Sequence, residues 1–152
     1  VVRPLRTDQE WQACYESQLG MRPAHLEEKR FAIFKKKQVD RNRRMAAAGL
    51  GHWYGAFIDD VLVANCGIYV SADGVGRYQS VITHPEWRRR GLAGTLVWKA
   101  GQQALDEGAK TLVMIADEDD HPVRVYKSCG FAQTEEMIGL YRWPKEDEAE
   151  KR

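Results

Sequence analysis

The sequence lacks any apolar run approaching the length of a membrane helix, and its first residues show no secretory leader pattern. Both absences predict a cytoplasmic protein with no membrane partner. Val1 stands where methionine is usual, as expected of a trimmed or processed N-terminus. Cysteine is scarce: Cys14, Cys66 and Cys129 are odd in number and widely spaced, with no metal-ligand pattern around them. Three reduced thiols and no metal site are the expectation, rather than a disulfide framework. The net charge is only +1, without the strong basic excess of domains that hold nucleic acid, so no nucleic-acid partner is expected. No internal repeat and no linker divides the 152 residues. Residues 1–144 read as one domain, large enough to bury a core. Residues 145–152 carry no apolar side chain beyond Ala149 and read as a flexible charged tail.

Charge is distributed less evenly than the total suggests. Between Arg22 and Arg44 stand nine basic residues against three acidic ones, Glu27, Glu28 and Asp40. Such a stretch is either a solvated helix face or a surface that docks an anionic partner. An acidic run, Asp117-Glu118-Asp119-Asp120, lies further on.

Periodicity and punctuation predict the elements. Val1 to Leu5 is a short strand, and Thr7-Asp8-Gln9-Glu10 is a capping box that opens a helix towards Leu19. A long helix after Pro23 carries Leu26, Phe31, Ile33 and Phe34 and ends near Gly49 or Gly51. Trp53 to Ile58, the Asp59-Asp60 turn and Val61 to Val70 form a hairpin. Ala72-Asp73-Gly74 turns the chain into a strand from about Arg77 to Thr83. Leu92 to Glu107 is an amphipathic helix, with Leu92, Leu96, Ala100 and Ala104 on one face. Thr111 to Ala116 has the look of a buried parallel strand. Pro122 to Cys129 is a short helix stopped by Gly130, and Phe131 to Trp143 is a final strand or bent pair of strands. Helices, an antiparallel meander and then alternating elements make a mixed α/β (α+β) domain.

One segment carries most of the chemistry: Thr83-His84-Pro85-Glu86-Trp87-Arg88-Arg89-Arg90-Gly91-Leu92-Ala93-Gly94-Thr95. A strand end, a tight Arg/Gly loop and a helix start together expose backbone N–H groups where the helix dipole also favours negative charge. Arg88, Arg89 and Arg90 add fixed positive charge, so a phosphate or pyrophosphate is the natural ligand. The bland alternative is an exposed basic turn. A small nucleotide-binding protein of P-loop type fits poorly, because Gly91 is not followed by the required Gly-Lys-Ser/Thr spacing.

Arg88-Arg89-Arg90-Gly91-Leu92-Ala93 resembles the acyl-CoA signature of the GCN5-related N-acetyltransferases (GNAT family): Arg or Gln, two residues, Gly, one residue, Gly or Ala. The segment follows a strand ending in Val81-Ile82-Thr83-His84-Pro85 and opens a helix, as in that family. Arg124-Val125-Tyr126-Lys127-Ser128-Cys129-Gly130-Phe131 is similar to the family's second signature. The resemblance implies a central, mostly antiparallel mixed sheet of about six to seven strands, splayed between the fourth and fifth and flanked by about four helices. It implies acetyl-CoA as donor and a primary amine as acceptor, joined by direct attack in a ternary complex, and it allows a homodimer. A non-catalytic acyl-CoA sensor is the alternative of a different class.

The resemblance also assigns roles. The amides from Arg89 to Thr95, that of Leu92 among them, would wrap the pyrophosphate, with Gly91, Ala93 and Gly94 allowing close approach because little side chain intervenes. The main chain of Val81, Ile82 and Thr83 would pair with the pantetheine arm, and an N–H near Val81 would meet the oxyanion. Tyr126 would protonate the leaving thiolate, or else it simply packs between helix and sheet. Asp119 would contact the pantetheine or cap the helix after it. The family's usual bases map to Arg77 and Gln79, neither of which takes a proton at neutral pH. Tyr78, His84, Glu86, Asp117 and Glu118 stand nearby, with water or a partly neutral amine as alternatives, and Asp117 and Glu118 are the catalytic candidates among them. Trp53, Tyr54, Phe31 and Phe34 are expected to wall the acceptor pocket, unless they are core.

Overall fold

The computed structural model describes residues 1–116 and 122–140. Asp117, Glu118, Asp119 and the 145–152 tail lie outside them.

β1 (Val2–Pro4) leads into α1 (Asp8–Leu19), whose start is fixed by a reciprocal capping box. The Glu10 amide donates to Thr7 Oγ1 (3.2 Å) and the Thr7 amide donates to Glu10 Oε2 (3.1 Å). Arg3 Nη2 also donates to Glu10 Oε1 (2.7 Å), tying β1 to the first turn of α1. α2 (Glu28–Ala47) begins where the Glu27 carboxylate accepts from the amides of Lys29 and Arg30. It runs back along α1, where Tyr15 reaches the Ala32 carbonyl and Arg43 pairs with Asp8.

β2 (Gly51–Ile58) and β3 (Val61–Val70) form the hairpin, and both Asp59 and Asp60 have positive φ, 47° and 61°, as a primed turn requires. β4 (Val75–Thr83) continues the antiparallel meander. α3 (Leu92–Asp106) then crosses over to β5 (Thr111–Val113), which lies parallel to β4. α4 (Pro122–Ser128) follows. The sheet order is β1-β2-β3-β4-β5.

The sheet is covered on both faces. Trp53, Phe57 and Tyr69 point to α1 and α2 and pack with Leu5, Trp11, Cys14 and Val39. Tyr54, Ala56, Cys66, Ile68 and Tyr78 point the other way, against Leu96, Val97, Ala100 and Ala104 of α3. This strand alternation is the period of two expected of half-buried strands. Gly67 lets the Trp53 indole lie flat across β3, for a Cβ there would come within 2.5 Å of the ring.

The described sheet has five strands, not six to seven. Residues 131–140 form no strand: Phe131 packs on the core, but Met137, Ile138 and Leu140 are exposed and make no ladder with β5. The polar run Gln133-Thr134-Glu135-Glu136 interrupts the alternation a paired strand would need. Pairing of β4 with β5 stops at Arg77 and Val113 while β4 runs on to Thr83, so the two part company where the splay was expected.

Candidate active site

The end of β4 carries an extra residue. Asn65 pairs with Ile82 but Gly67 pairs with Gln79, so Cys66 alone faces both Ser80 and Val81. Ser80 sits at φ 44°, the left-handed backbone of a bulge. A bulge removes a peptide from the ladder and leaves its polar groups for another partner. Val81 packs into the α3-side core and Ile82 lies in register with Asn65. Asn65 is itself fixed from the α1 side: it accepts from Trp53 Nε1 (3.1 Å) and donates to Ser17 Oγ (2.8 Å).

Beyond Thr83 the chain tightens. The His84 amide donates to the Val63 carbonyl (2.9 Å), and Pro85–Trp87 forms one 3-10 turn. Arg88 folds back, its Nε donating to the Thr83 carbonyl (3.3 Å) and its Nη2 lying 3.8 Å from Met21 Sδ at the end of α1. Arg90 stacks over Trp87, 4.8 Å from the ring centroid. Arg89 (φ 60°) and Gly91 (φ 73°) are both left-handed. Gly91 is the N-cap of α3 and supplies no side-chain cap. The first amide bonded within the helix is that of Thr95, to the Gly91 carbonyl (3.0 Å). The amides of Leu92, Ala93 and Gly94 therefore have no acceptor inside the helix. Left-handed residues beside helical ones are the backbone from which anion-binding nests are built, and these amides stand at the positive end of the helix dipole.

α4 packs on this first turn. A Cβ on Gly94 would meet Val125 Cγ1 at 3.7 Å and Cys129 Sγ at 4.0 Å, and the Cys129 thiol donates to the Gly94 carbonyl (3.6 Å). Tyr126 is half-buried against the α3-side core. Its carbonyl accepts from the amides of Cys129 (3.0 Å) and Phe131 (3.1 Å), closing the helix at Gly130. The bulged strand end (Val81, Ile82, Thr83), the arginine loop and the helix start (Arg88 to Thr95) are thus contiguous, and α4 with Tyr126 packs onto that start.

Three expectations change. Tyr78 is no proton acceptor for the site: it points to the α3 side, is 6% exposed, and donates its hydroxyl to the Val97 carbonyl (2.6 Å). Burial pushes its pKa up. Trp53 and Tyr54 are each 1% exposed and belong to the core, not to a pocket wall. Phe31 is buried too, whereas Phe34 is 58% exposed on α2. The basic stretch is partly engaged, with Lys36 on Asp40 and Arg43 on Asp8, and half-buried Lys35 between the rings of Phe31 and Phe34. Desolvation lowers the Lys35 pKa.

Arg77 is exposed and Gln79 half-buried on β4, and His84 and Glu86 are exposed on the turn after it. Among the described residues no group of three or more His, Cys, Asp or Glu is placed to hold a metal ion, and no helix is long and apolar enough to cross a membrane. What sequence reasoning overlooked is the contact of Tyr78 with α3 at Gly101. A glycine on the buried face of an otherwise regular helix was the available signal, since it marks a close approach.

The model of the acetyltransferase (GNAT) family matches residues 9–131 of the chain. No curated protein matches by sequence. Among solved structures, a GCN5-related N-acetyltransferase from Ralstonia eutropha is similar at TM-score 0.73 and 20% identity, over 93% of this chain and 97% of that one. Glucosamine-6-phosphate N-acetyltransferase from Arabidopsis thaliana is similar at TM-score 0.68 and 12% identity, over 93% and 97%. An aminoglycoside N-acetyltransferase in complex with CoA is similar at TM-score 0.69 and 15% identity, over 95% and 100%.

Proposed function

This chain belongs to the acetyltransferase (GNAT) family, and from that premise we propose that it moves an acetyl group from acetyl-CoA to a primary amine. The observation that carries the proposal is the uncapped, left-handed entry to α3 directly after a bulged strand. It offers a diphosphate several amides at one end and leaves a main-chain edge for an extended arm at the other. The main chain of Val81, Ile82 and Thr83 takes the pantetheine amides, and the amides from Arg89 to Thr95 take the pyrophosphate. Arg89 and Arg90 add charge at the rim, while Arg88 holds the loop to Thr83.

The reaction is direct attack in a ternary complex. The amine nitrogen bonds to the thioester carbon, and the oxyanion accepts from the amide near Val81. Collapse breaks the carbon–sulfur bond, and the leaving thiolate takes a proton from Tyr126. The amine's own proton goes to water or to Asp117 or Glu118, the carboxylates that follow β5 in sequence; Asp119 contacts the pantetheine or caps α4. Purified protein mixed with acetyl-CoA and a panel of amines, with free thiol measured, tests the proposal. The panel spans an aminoglycoside, an amino-sugar phosphate, a polyamine, amino acids and a peptide with a free N-terminus. Thiol release that depends on one amine class supports transfer. CoA binding with no acceptor-dependent thiol release favours a sensor instead.

A further inference from the structure

Tyr78 links three elements that carry the candidate site: β4 on which it stands, α3, and the end of α4. Its backbone is two residues before Ser80, where β4 bulges. Its hydroxyl donates to the Val97 carbonyl on α3 at 2.6 Å. Its ring meets Phe131 edge-on, with centroids 5.7 Å apart, and the Phe131 amide closes α4 on the Tyr126 carbonyl. In a regular helix the Val97 carbonyl also receives the amide of Gly101, one turn on. A Cβ on Gly101 would stand 2.5 Å from the Tyr78 hydroxyl, so only glycine leaves space for this bond.

We propose that Tyr78 is a positioning residue for acetyl transfer, fixing the span between the β4 bulge and the amides at the start of α3 and seating the end of α4 against both. The inference rests on the assignment of those two places to the thioester and pyrophosphate ends of one donor. A donor anchored at both ends senses their separation, whereas a ligand anchored at one end does not. The hydroxyl of Tyr78 is a direct polar tie between the strand and the helix, and Gly101 is the residue that permits it. Nothing in the proposal has Tyr78 touch the reacting atoms.

The test compares acetyl-CoA with ADP, which presents a diphosphate but no pantetheine arm, by calorimetry on the full chain. Tyr78→Phe keeps the ring on Phe131 and deletes the hydroxyl. The expected result is a rise of about fivefold in the Kd for acetyl-CoA with the Kd for ADP unchanged, the size set by one buried hydrogen bond. Adding Gly101→Ala to that variant puts a methyl where the hydroxyl stood, with the flexible Leu112 Cδ1, 3.0 Å from that Cβ, turning aside, and the better helix former should recover melting temperature. It should not recover acetyl-CoA affinity. Gly101→Ala alone, with Tyr78 retained, pushes the hydroxyl off Val97 and should give the same split between ligands, which covers a Tyr78→Phe chain that does not fold.

Equal losses for both ligands, losses for neither, or affinity that returns together with melting temperature would each overturn the proposal. If the unaltered chain binds neither acetyl-CoA nor ADP, it is the donor-site assignment that fails. If it binds both and the variants match it, only the role of Tyr78 fails.

Discussion

Arg89 and Gly91 both take left-handed backbone, at φ 60° and 73°, and flank Arg90 where the chain enters α3. For glycine this costs nothing special; for an arginine it costs about 1 kcal/mol or more. Opposite consequences follow for the two positions. Gly91→Val introduces a β-branched side chain at positive φ, although a Cβ there meets nothing within 4 Å in the protein. Strain should lower stability by about 1–3 kcal/mol, and the side chain should obstruct the amides, raising the Kd for CoA at least about tenfold. Arg89→Gly relieves strain and removes a charge, so melting temperature should hold or rise while CoA binding weakens and loses part of its salt dependence. Calorimetry at two salt concentrations and thermal melts decide both. A fall in melting temperature for Arg89→Gly would show that the arginine's backbone is not strained.

Tyr126→Phe should lower kcat about a hundredfold while leaving the KM for acetyl-CoA within about twofold, because general-acid help acts in the transition state and not on binding. Steady-state thiol release with the best acceptor measures it. An unchanged kcat would leave Tyr126 a packing residue between α4 and the core.

Glu10 joins β1, the α1 cap and Arg3 through one carboxylate. The Arg3 guanidinium, ahead of the backbone amides of Arg6 and Thr7, holds its pKa down to about 2. A lowered folded-state value means stability that is present above the unfolded pKa of about 4.3 and lost as pH falls from there towards 2. Glu10→Gln should therefore cost about 1–2 kcal/mol at neutral pH, and the difference should shrink to nearly nothing at the acid end of that window. Urea melts of the two proteins across the window check the sign. A gap that stayed constant with pH would point to shape, not charge.

Gly67→Ala should be poorly tolerated for a reason unrelated to chemistry. The added methyl would stand 2.5 Å from the Trp53 ring, which is packed against Trp11 and Tyr69 and bonded to Asn65. A loss of about 1–3 kcal/mol is expected, together with a red shift of tryptophan emission as the indole is displaced.

Much of the fold was legible because its signals are local. The Thr7 to Glu10 capping box, the Asp59-Asp60 turn and the Gly91 helix start each declare themselves within a few residues and stand where they were expected. The candidate site residues Val81 to Thr83, the arginine loop and Tyr126 are likewise proposed from local motifs, and the structure places them on the end of β4, the entry to α3 and α4. Facing direction was harder to read. Tyr78 and Gln79 are neighbours, yet alternation sends Tyr78 to α3, and no short-range pattern announces the Val97 carbonyl that receives its hydroxyl. Trp53 and Tyr54 are aromatics near a site, the residue type that walls a pocket, but both faces of this sheet are covered, so both are core. The strand expected from Phe131 to Trp143 would bury alternate side chains, but among the described residues Met137, Ile138 and Leu140 are exposed.

Because the sheet runs β1-β2-β3-β4-β5 in chain order, its three central strands are joined by short turns and can pair through contacts close in sequence. β1 is different: Val2–Pro4 must find Tyr54–Ala56 across the whole length of α1 and α2. Closing that loop carries a larger entropic cost than forming either hairpin. The central meander is thus expected to assemble first and open last, and amide hydrogen exchange should be slowest in β2 and β3 and faster in β1. The two helices strung between a late-pairing edge strand and an early-forming centre are tied to that centre at few points, Ser17 on Asn65 and Trp11 on Trp53 among them. Substitutions there should reach the bulged strand sooner than changes on the exposed faces of α1 and α2.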